Sequence, residues 1–257
     1  MSNRNKKEEY LGKTYVTNEG YEVKVIDYQT SKQVTIQFPN GYCKTTNLSA
    51  VKRGLISSPF HPTVYQIGYL GVGKHKASVN RKHTHVYRIW HGMMARGYSD
   101  SVHKNRPTYE DCEVCPQWHN FQNFAQWYED NYYEIEGQEM HLDKDVLVKG
   151  NKVYSPETCV FVPKNINSLL VKSDSTRGDS PIGVSYHKKE GVYYARCGNQ
   201  FLRRTVLIGT YLTEKEAFKA YKEYKEQHIM EIANFYKGQI PARLYQALST
   251  YVVDIAD

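Results

Sequence analysis

The first 70 residues alternate between apolar and polar side chains, as β-strands with one buried face do. The alternation is clearest over residues 21–25 and again over residues 34–38. Successive side chains of a strand point to opposite faces, so each run predicts a strand. Pro39-Asn40-Gly41 then favours a tight turn, because Asn and Gly tolerate a positive φ. Residues 1–70 are therefore predicted to form a small antiparallel sheet, closed as a barrel.

The middle of the chain combines a basic stretch with helical spacing. Residues 71–86 are rich in Gly, Lys and His. We interpret them either as a solvated linker or as a basic loop that contacts a nucleic-acid backbone. Helices are predicted from Tyr87 onward, because large apolar side chains then recur at helical spacing, typical of a core-facing side. The side chains concerned are Tyr87, Trp90, Met94, Phe121, Phe124 and Tyr128.

The C-terminal quarter predicts three short strands followed by one helix. Between residues 183 and 210 it holds one acidic residue, Glu190. The same span holds five basic residues: Lys188, Lys189, Arg196, Arg203 and Arg204. Thr213 and Glu216 form a capping-box sequence that starts the helix, whose apolar positions then face the sheet. A small basic sheet with aromatic residues and a helix behind it suits binding in a DNA groove.

These elements predict an α+β fold with three domains. Residues 1–70 are expected to form an SH3-like β-domain. Residues 71–172 form a region of helices and strands, and residues 181–257 form the sheet-and-helix domain. The segment 171–181 between the last two is polar and rich in turn-forming residues, which is typical of a boundary.

Composition narrows the class of protein. The chain of 257 residues carries a formal net charge of +7 with a pI near 8.9, which favours a polyanionic partner. The mean hydropathy of −0.67, the lack of a membrane-spanning apolar run and the polar N-terminus indicate a soluble protein without a signal peptide. Five thinly spread cysteines argue against a disulfide scaffold and for a reducing compartment. We therefore expect a cytoplasmic location.

Three segments of the middle region carry a family resemblance. They are YRIWHGMMARGY at residues 87–98, CPQW at 115–118, and the run from residue 141 through YSPETC at 154–159 to residue 167. Together they resemble phage HNH-type homing endonucleases, and the C-terminal quarter resembles the AP2 DNA-binding domain that follows the nuclease region in some of them. The resemblance implies metal-dependent cleavage of double-stranded DNA, in the host cytoplasm if the protein is phage-encoded.

The family's site is built on a β-hairpin, which supplies a base and a metal ligand, and on the following helix, which supplies a second ligand. The resemblance implies that His141 is the base that activates water, with Asp143 as its catalytic partner. Asp143 or Asp145 would bind Mg²⁺ or Mn²⁺ together with Asn165 or Asn167. Carboxylate and amide oxygens suit these hard cations.

The sequence departs from the family pattern at Met140, which precedes His141 where a ligand or a second histidine is usual. A second alignment places Gly150-Asn151-Lys152 at the family's hairpin turn. In that alignment the motif positions fall on Leu147, Ser155 and Cys159. No histidine would then serve as the base, which leaves only Asp143 and Asp145. The alternative is therefore a hairpin and helix that keep the fold without cleaving DNA.

The cysteines raise the question of a structural zinc site. Cys112 and Cys115 with His119 have a spacing that zinc ligands use, and Cys159 is a further candidate. No second CxxC or HxxxH pair completes four ligands. Buried packing of Cys115 and Cys159 is therefore the preferred interpretation.

The AP2 resemblance also implies a set of DNA contacts. In that family the three-stranded sheet lies in the major groove with its helix behind. Carried over by position, the candidate contacts are Tyr186, Lys188, Tyr194, Arg196 and Arg203 or Arg204. Arginine can bind guanine through two hydrogen bonds, whereas lysine mainly binds phosphate. Tyr194 stands where the family often has Trp, and packing of its ring inward is the alternative.

Three hypotheses follow for the function. The first is a site-specific endonuclease that uses the sheet to find its site and the middle region to cut. The second is a DNA-binding or regulatory protein of the same ancestry without catalysis. The third is a protein that inhibits a host protein through its N-terminal domain, and its interaction would be insensitive to salt.

Overall fold

The structure, a computed structural model, describes residues 3–170 and 180–255 and has a mixed α+β fold with several small sheets. The chain divides into two compact units. The first comprises Met1–Met94 and Pro116–Ala125, and the second comprises Ala95–Cys115 and Gln126–Asp257. The predicted boundary at residues 171–181 lies outside the described residues except for its last two positions.

The first unit begins with a helix and a four-stranded antiparallel sheet. Its elements are α1 (Asn3–Tyr10), β1 (Thr14–Val16), β2 (Glu22–Thr30), β3 (Gln33–Gln37), β4 (Cys43–Thr46) and α2 (Leu48–Lys52). The predicted alternation is confirmed, because Val23, Val25, Val34 and Ile36 are fully buried while Lys24 is exposed. Burial of such side chains is the main source of stability for a small sheet.

The sheet differs from the predicted barrel in that it is not closed. Its strand order is β1-β2-β3-β4, and no pairing among the described residues joins β1 to β4. Both edge strands are short, and helices cover the core instead. Tyr10 of α1 and Val51 of α2 pack into the same apolar cluster as the sheet.

The remainder of the first unit holds a hairpin and the start of a long helix. β5 (Ser78–Val79) and β6 (Lys82–His83) pair, and α3 (His85–Tyr98) follows, with its residues up to Met94 in this unit. The helix begins two residues before the predicted Tyr87, since the Thr84 hydroxyl accepts the Tyr87 N–H at 3.3 Å and caps the first turn. Trp90 is fully buried and donates its indole N–H to the Trp118 carbonyl at 2.7 Å. The apolar stripe of this helix is thus core, as predicted.

The second unit holds most of the middle region of the chain. Its elements are α4 (Asp100–Asn105), β7 (Glu113–Val114), α5 (Phe121–Asn131, from Gln126 on in this unit), β8 (Met140–Asp143), β9 (Val153–Tyr154), β10 (Val160–Pro163) and α6 (Lys164–Leu169). β8 and β10 pair antiparallel, and α6 starts at the residue after β10. β7 pairs in parallel with β9, an arrangement that the sequence does not predict.

The same unit contains the predicted C-terminal sheet and helix. The elements are β11 (Val184–His187), β12 (Val192–Asn199), β13 (Arg204–Tyr211), α7 (Glu214–Phe235) and α8 (Ala242–Ser249). The strands form an antiparallel sheet in sequence order. The capping box is confirmed, because Thr213 and Glu216 exchange side-chain-to-backbone hydrogen bonds. Gly183 precedes the sheet with φ +77°, and a Cβ there would lie 2.1 Å from the Tyr221 ring, so only glycine fits.

α7 packs against two different partners along its 22 residues. Near its N-terminus, Ala217 and Tyr221 are buried against Val184, Ala195 and Cys197 of the sheet. Near its C-terminus, the helix packs against β10 and α6. That second cluster includes Ile229, Ile232 and Ala233 of α7 and Tyr236 directly after it, with Val160, Val162, Ile166 and Leu169. The single helix α7 therefore supports both the C-terminal sheet and the segment from β10 to α6.

No helix among the described residues is both long enough and apolar enough to cross a bilayer.

Candidate active site and nucleic-acid interface

The pairing of β8 with β10 places His141 beside α6. His141 lies opposite Val162 and Asp143 opposite Val160, and directly opposite residues of an antiparallel pair share one face. Both valines belong to the core with α6 and α7. His141 and Asp143 therefore lie on the side of the β8–β10 pair that faces α6 and α7, whereas Phe161 packs on the other side against α5.

His141 contacts Asn167 directly. The Nδ2 atom of Asn167 lies 3.1 Å from Nδ1 of His141, and the histidine side chain remains about one third exposed. A short helix that starts immediately after β10 brings Asn167 back over the hairpin. A partly exposed imidazole with one nitrogen held by an amide is a suitable base, because the other nitrogen stays accessible.

One carboxylate, itself paired with a lysine, lies near the accessible nitrogen of His141. Glu139 Oε2 lies 3.7 Å from His141 Nε2 and 3.4 Å from Lys164 Nζ. The hydrogen bond from Lys164, followed by the charge of His141, holds the pKa of Glu139 below its usual range. Glu139 thus stays ionised beside the imidazole.

Asp143 is held in a tight local turn. Its Oδ1 accepts the N–H of Asp145 at 2.9 Å and the N–H of Val146 at 2.8 Å, an Asx turn that starts the connection to β9. Burial, and next the charge of Asp145, raise the pKa of Asp143 to about 6. A carboxyl group with such a pKa ionises close to neutral pH and can then accept a proton or bind a cation.

The other two predicted ligands lie apart from His141. Asp145 is exposed, and its carboxylate lies 3.5 Å from Lys144 Nζ. Asn165 contacts the Tyr236 hydroxyl at 3.4 Å. It lies two positions, about 200° of helix rotation, from Asn167, so the two amides point to different sides of α6. Asn165 and Asn167 were the alternative ligands on α6. The structure places Asn167 against His141 and Asn165 against Tyr236.

The residues of the second alignment occupy packing positions in the connection between β8 and β10. Leu147 packs against the apolar core. Ser155 is buried, and its hydroxyl lies 3.1 Å from that of Thr158. Burial raises the pKa of Cys159 to about 12, so this thiol is neutral at physiological pH. None of the three supplies a base.

The residues near His141 supply part of the oxygen ligands that a Mg²⁺ ion needs. Mg²⁺ is commonly bound by one or two protein oxygens, several waters and the substrate phosphate. Here the Asn167 amide contacts His141, and Asp143 lies on the same face of β8 two residues away. No group of three His, Cys, Asp or Glu side chains with metal-binding geometry occurs among residues 3–170 and 180–255.

Of the cysteines considered for zinc, Cys115 is half-buried and not fully buried as expected. Cys112 and Cys159 are buried, and burial raises the pKa of both thiols. A thiol binds zinc as the thiolate, and an elevated pKa opposes that form.

The C-terminal sheet has one face against α7 and one face turned away from it, called here the open face. Tyr194 of β12 pairs with Ser185 and Thr210, and Arg196 pairs with Leu207. These five residues lie on the open face, because the intervening Ala195 is buried against the helix. The Arg196 guanidinium lies 4.9 Å from the centroid of the Tyr194 ring, a cation–π contact that orients the arginine.

The remaining predicted contacts lie at the ends of the sheet or on its other side. Lys188 is exposed in the turn between β11 and β12, and Arg203 has φ +52° in the turn before β13. Arg204 is exposed as the first residue of β13. Tyr186 pairs with Tyr193, which packs toward α7, so its ring shares the helix side of the sheet. Tyr194 and Arg196 are thus the two predicted contacts on the open face.

Three polar residues near these sites were not predicted. Glu139 lies near His141 and pairs with Lys164, and Glu190 accepts a hydrogen bond from the Tyr194 hydroxyl. For the first, a sequence signal exists: Glu139, His141 and Asp143 alternate with apolar Met140 and Leu142. That period of two places all three polar side chains on one face of the strand.

No family model matches the chain, and no curated protein or solved structure is significantly similar to it. The proposed function therefore depends on the residues and their arrangement.

Proposed function

We propose that this protein is a metal-dependent endonuclease that binds double-stranded DNA and hydrolyses a phosphodiester bond. The observation that carries the proposal is the contact between His141 and Asn167, 3.1 Å apart, with Asp143 on the same face of the hairpin. Metal-assisted hydrolysis of a phosphodiester uses a base that activates water and oxygen ligands that hold the ion, and His141, Asp143 and Asn167 are side chains of these kinds.

His141 would act as the general base through Nε2. An amide offers both a donor and an acceptor, so a half-turn of Asn167 allows either nitrogen of the imidazole to carry the proton. With the Asn167 oxygen accepting from Nδ1–H, Nε2 is free to take a proton from water. Glu139, 3.7 Å away, then stabilises the imidazolium that forms.

The carboxylate of Asp143 and the amide oxygen of Asn167 would hold Mg²⁺ or Mn²⁺. The ion, when bound, supplies positive charge to the developing phosphate and to the leaving oxygen. Asn167 can serve both His141 and the ion, because its oxygen has two lone pairs. The Asx turn fixes Asp143 through two backbone N–H groups and leaves its second oxygen for the ligand role.

The open face supports DNA as the substrate. Arg196 can bind a guanine edge with two hydrogen bonds, and the contact with Tyr194 holds it in place. Basic residues in the two flanking turns, Lys188 and Arg203, suit the phosphates on either side. This division between base and backbone contacts is common in proteins that bind the major groove.

A DNA-binding protein without nuclease activity is the second candidate. The observation that favours it is the lack of three converging His, Cys, Asp or Glu side chains among the described residues. Incubation of the pure protein with a genomic DNA library and Mg²⁺ or Mn²⁺ separates the two candidates. Discrete cuts that require the metal support the endonuclease. Binding without cuts under either metal supports the second candidate.

Replacing Glu190 with glutamine should strengthen DNA binding. Glu190 places a carboxylate on the Tyr194 hydroxyl, beside the open face, and a negative charge there repels phosphate. We expect affinity for duplex DNA to rise by roughly threefold to tenfold at low salt, with the gain lost at high salt. Fluorescence anisotropy with a labelled duplex measures this.

The matched control for this substitution is Glu223→Gln, an exposed carboxylate on α7 with a similar change of charge. An equal gain in both variants would mean that only net charge matters, and the open face would lose its support as the DNA contact.

A further inference from the structure

The positive charge of the chain is concentrated outside the C-terminal sheet. Between Tyr28 and Ser99 the sequence has ten Lys and Arg residues and no Asp or Glu, whereas the whole chain has a net charge of only +7. The rest of the protein is therefore slightly acidic. Most of this acid-free stretch belongs to the first compact unit, so a polyanion would be attracted there as well.

An ordered hairpin occupies the most basic part of this stretch. Ser78 pairs with His83 and Val79 with Lys82, and Asn80 and Arg81 connect the strands. Both connecting residues have positive φ, 50° and 62°, as in a type I′ turn that matches the twist of a two-residue hairpin. The region interpreted from sequence as a linker or a basic loop is thus a β-hairpin with a defined tip.

The base of the hairpin is fixed to the rest of its unit. Gln122 accepts the N–H of His75 at 3.0 Å and donates to the carbonyls of His75 and Leu70. Thr84 closes the other strand by donating its N–H to the Ala77 carbonyl at 3.0 Å. This polar segment is therefore held without burying its own side chains, which leaves the tip for other contacts.

The tip presents basic side chains to solvent. Residues 78–83 are all exposed, and Lys76 before them and Arg88 after them are exposed too. No carboxylate lies within ion-pair distance of Arg81 or Lys82 in the described parts of the chain. Their charge is consequently not neutralised within the protein.

Aromatic rings support one side of the hairpin. The His83 ring stacks on Tyr87 at 4.7 Å, and Tyr87 is followed by His91 at 5.9 Å. Burial and the nearby His83 hold the pKa of His91 below its usual range, so lysine and arginine supply the charge at neutral pH. The rings set the direction of the hairpin relative to α3, because His83 is in its second strand.

We propose that the β5–β6 hairpin binds the phosphate backbone of duplex DNA through Arg81 and Lys82, as a second contact that does not depend on sequence. The inference rests on the proposed function, in which the chain binds DNA. A two-stranded ribbon fits the width of a DNA groove, and its side chains are basic or small rather than apolar, apart from Val79. An interface with protein usually has a larger apolar centre.

The test compares the full-length protein with Arg81→Ala/Lys82→Ala in binding to a labelled duplex of mixed sequence over a range of salt. Loss of two phosphate contacts should lower the slope of log K against log salt by about 1.8. Affinity should fall roughly tenfold at moderate salt, equally for all sequences. Thermal unfolding should be unchanged, because both side chains are exposed and unpaired.

The control is Lys24→Ala/Lys219→Ala, which removes two exposed charges outside the hairpin and the open face. An unchanged slope in the hairpin variant, or a change no larger than that of the control, overturns the inference even if the wild type binds and cuts DNA. Wild-type protein that fails to bind any duplex overturns both proposals. A hairpin variant that keeps full DNA affinity but loses binding to poly-glutamate would indicate an acidic protein partner instead, and would also overturn it.

A third variant, Arg196→Ala, distinguishes the DNA contact of the β5–β6 hairpin from that of the C-terminal sheet. It should change the preference among sequences, whereas the hairpin variant should not. If only the hairpin variant weakens binding, the hairpin inference stands and the open face loses its role in the proposed function.

Discussion

Replacing His141 with alanine should reduce DNA cleavage by roughly a hundredfold to ten-thousandfold, the usual contribution of a general base. DNA affinity should stay close to that of the wild type, because His141 lies in β8, which pairs with β10, and not on the open face of the C-terminal sheet. The side chain is partly exposed, so its removal should leave thermal unfolding little changed. Single-turnover cleavage of a plasmid with Mg²⁺, alongside a binding assay, measures both effects.

Asn165→Ala and Asn167→Ala form a matched pair of controls on one helix. Asn167 holds the imidazole, whereas Asn165 contacts Tyr236. Loss of cleavage in Asn167→Ala with retained cleavage in Asn165→Ala would support the arrangement described. Full activity of His141→Ala would exclude His141 as the base, and equal losses in both asparagine variants would point to a general effect on α6.

Asp143→Asn should remove cleavage and yet stabilise the metal-free protein at neutral pH. The pKa of Asp143 is raised from 3.8 to about 6 in the folded protein, first by burial and then by Asp145. The folded state therefore binds this proton more tightly than the unfolded state does. Its contribution to stability is present below about pH 4 and is lost as pH rises through about 6.

Asparagine has no proton to lose, and its oxygen can still accept the two N–H groups of the Asx turn. The difference in free energy of unfolding between variant and wild type should thus grow from about pH 4 to pH 7. At pH 7 the variant should be more stable by about 2 to 3 kcal/mol. Urea unfolding in the presence of a chelator at several pH values measures it.

Asp145→Asn provides the comparison, since Asp145 is exposed and paired with Lys144. That variant should show a much smaller change of stability with pH, and it should also lower the pKa of Asp143 by removing a neighbouring charge. A wild type whose stability does not fall between pH 4 and 7 relative to Asp143→Asn would contradict the raised pKa.

Much of the local structure was predictable from sequence because its signals are local. Alternation around Val23 and Val34, and the Thr213–Glu216 capping box, each depend on neighbours within a few residues. Closure of the first sheet depends on an additional contact between distant strands. In the structure, α1 and α2 pack on the core of this open sheet, and alternation contains no information about that outcome.

The residues of the candidate site were likewise predictable only in part from local sequence signals. The family resemblance implied Asn165 or Asn167 as a metal ligand, and only the packing of α6 on the β8–β10 pair and on Tyr236 distinguishes the two. Tyr186 was predicted to contact DNA, yet its register opposite Tyr193 places it on the helix side. The hairpin at residues 78–83 was missed because its strands have two residues each, too few for a periodic pattern to appear.

The shared helix α7 has a consequence for where a cut would fall. Ala217 packs against the C-terminal sheet, and Tyr236, directly after the helix, packs against β10 and α6. The two residues are separated by about 28 Å along the helix axis. That length equals about eight base pairs of B-DNA. Because the helix is continuous, the cleaved bond should lie at one constant offset from the recognised sequence. Mapping the cut ends at single-nucleotide resolution checks this, and an offset that varied from site to site would contradict it.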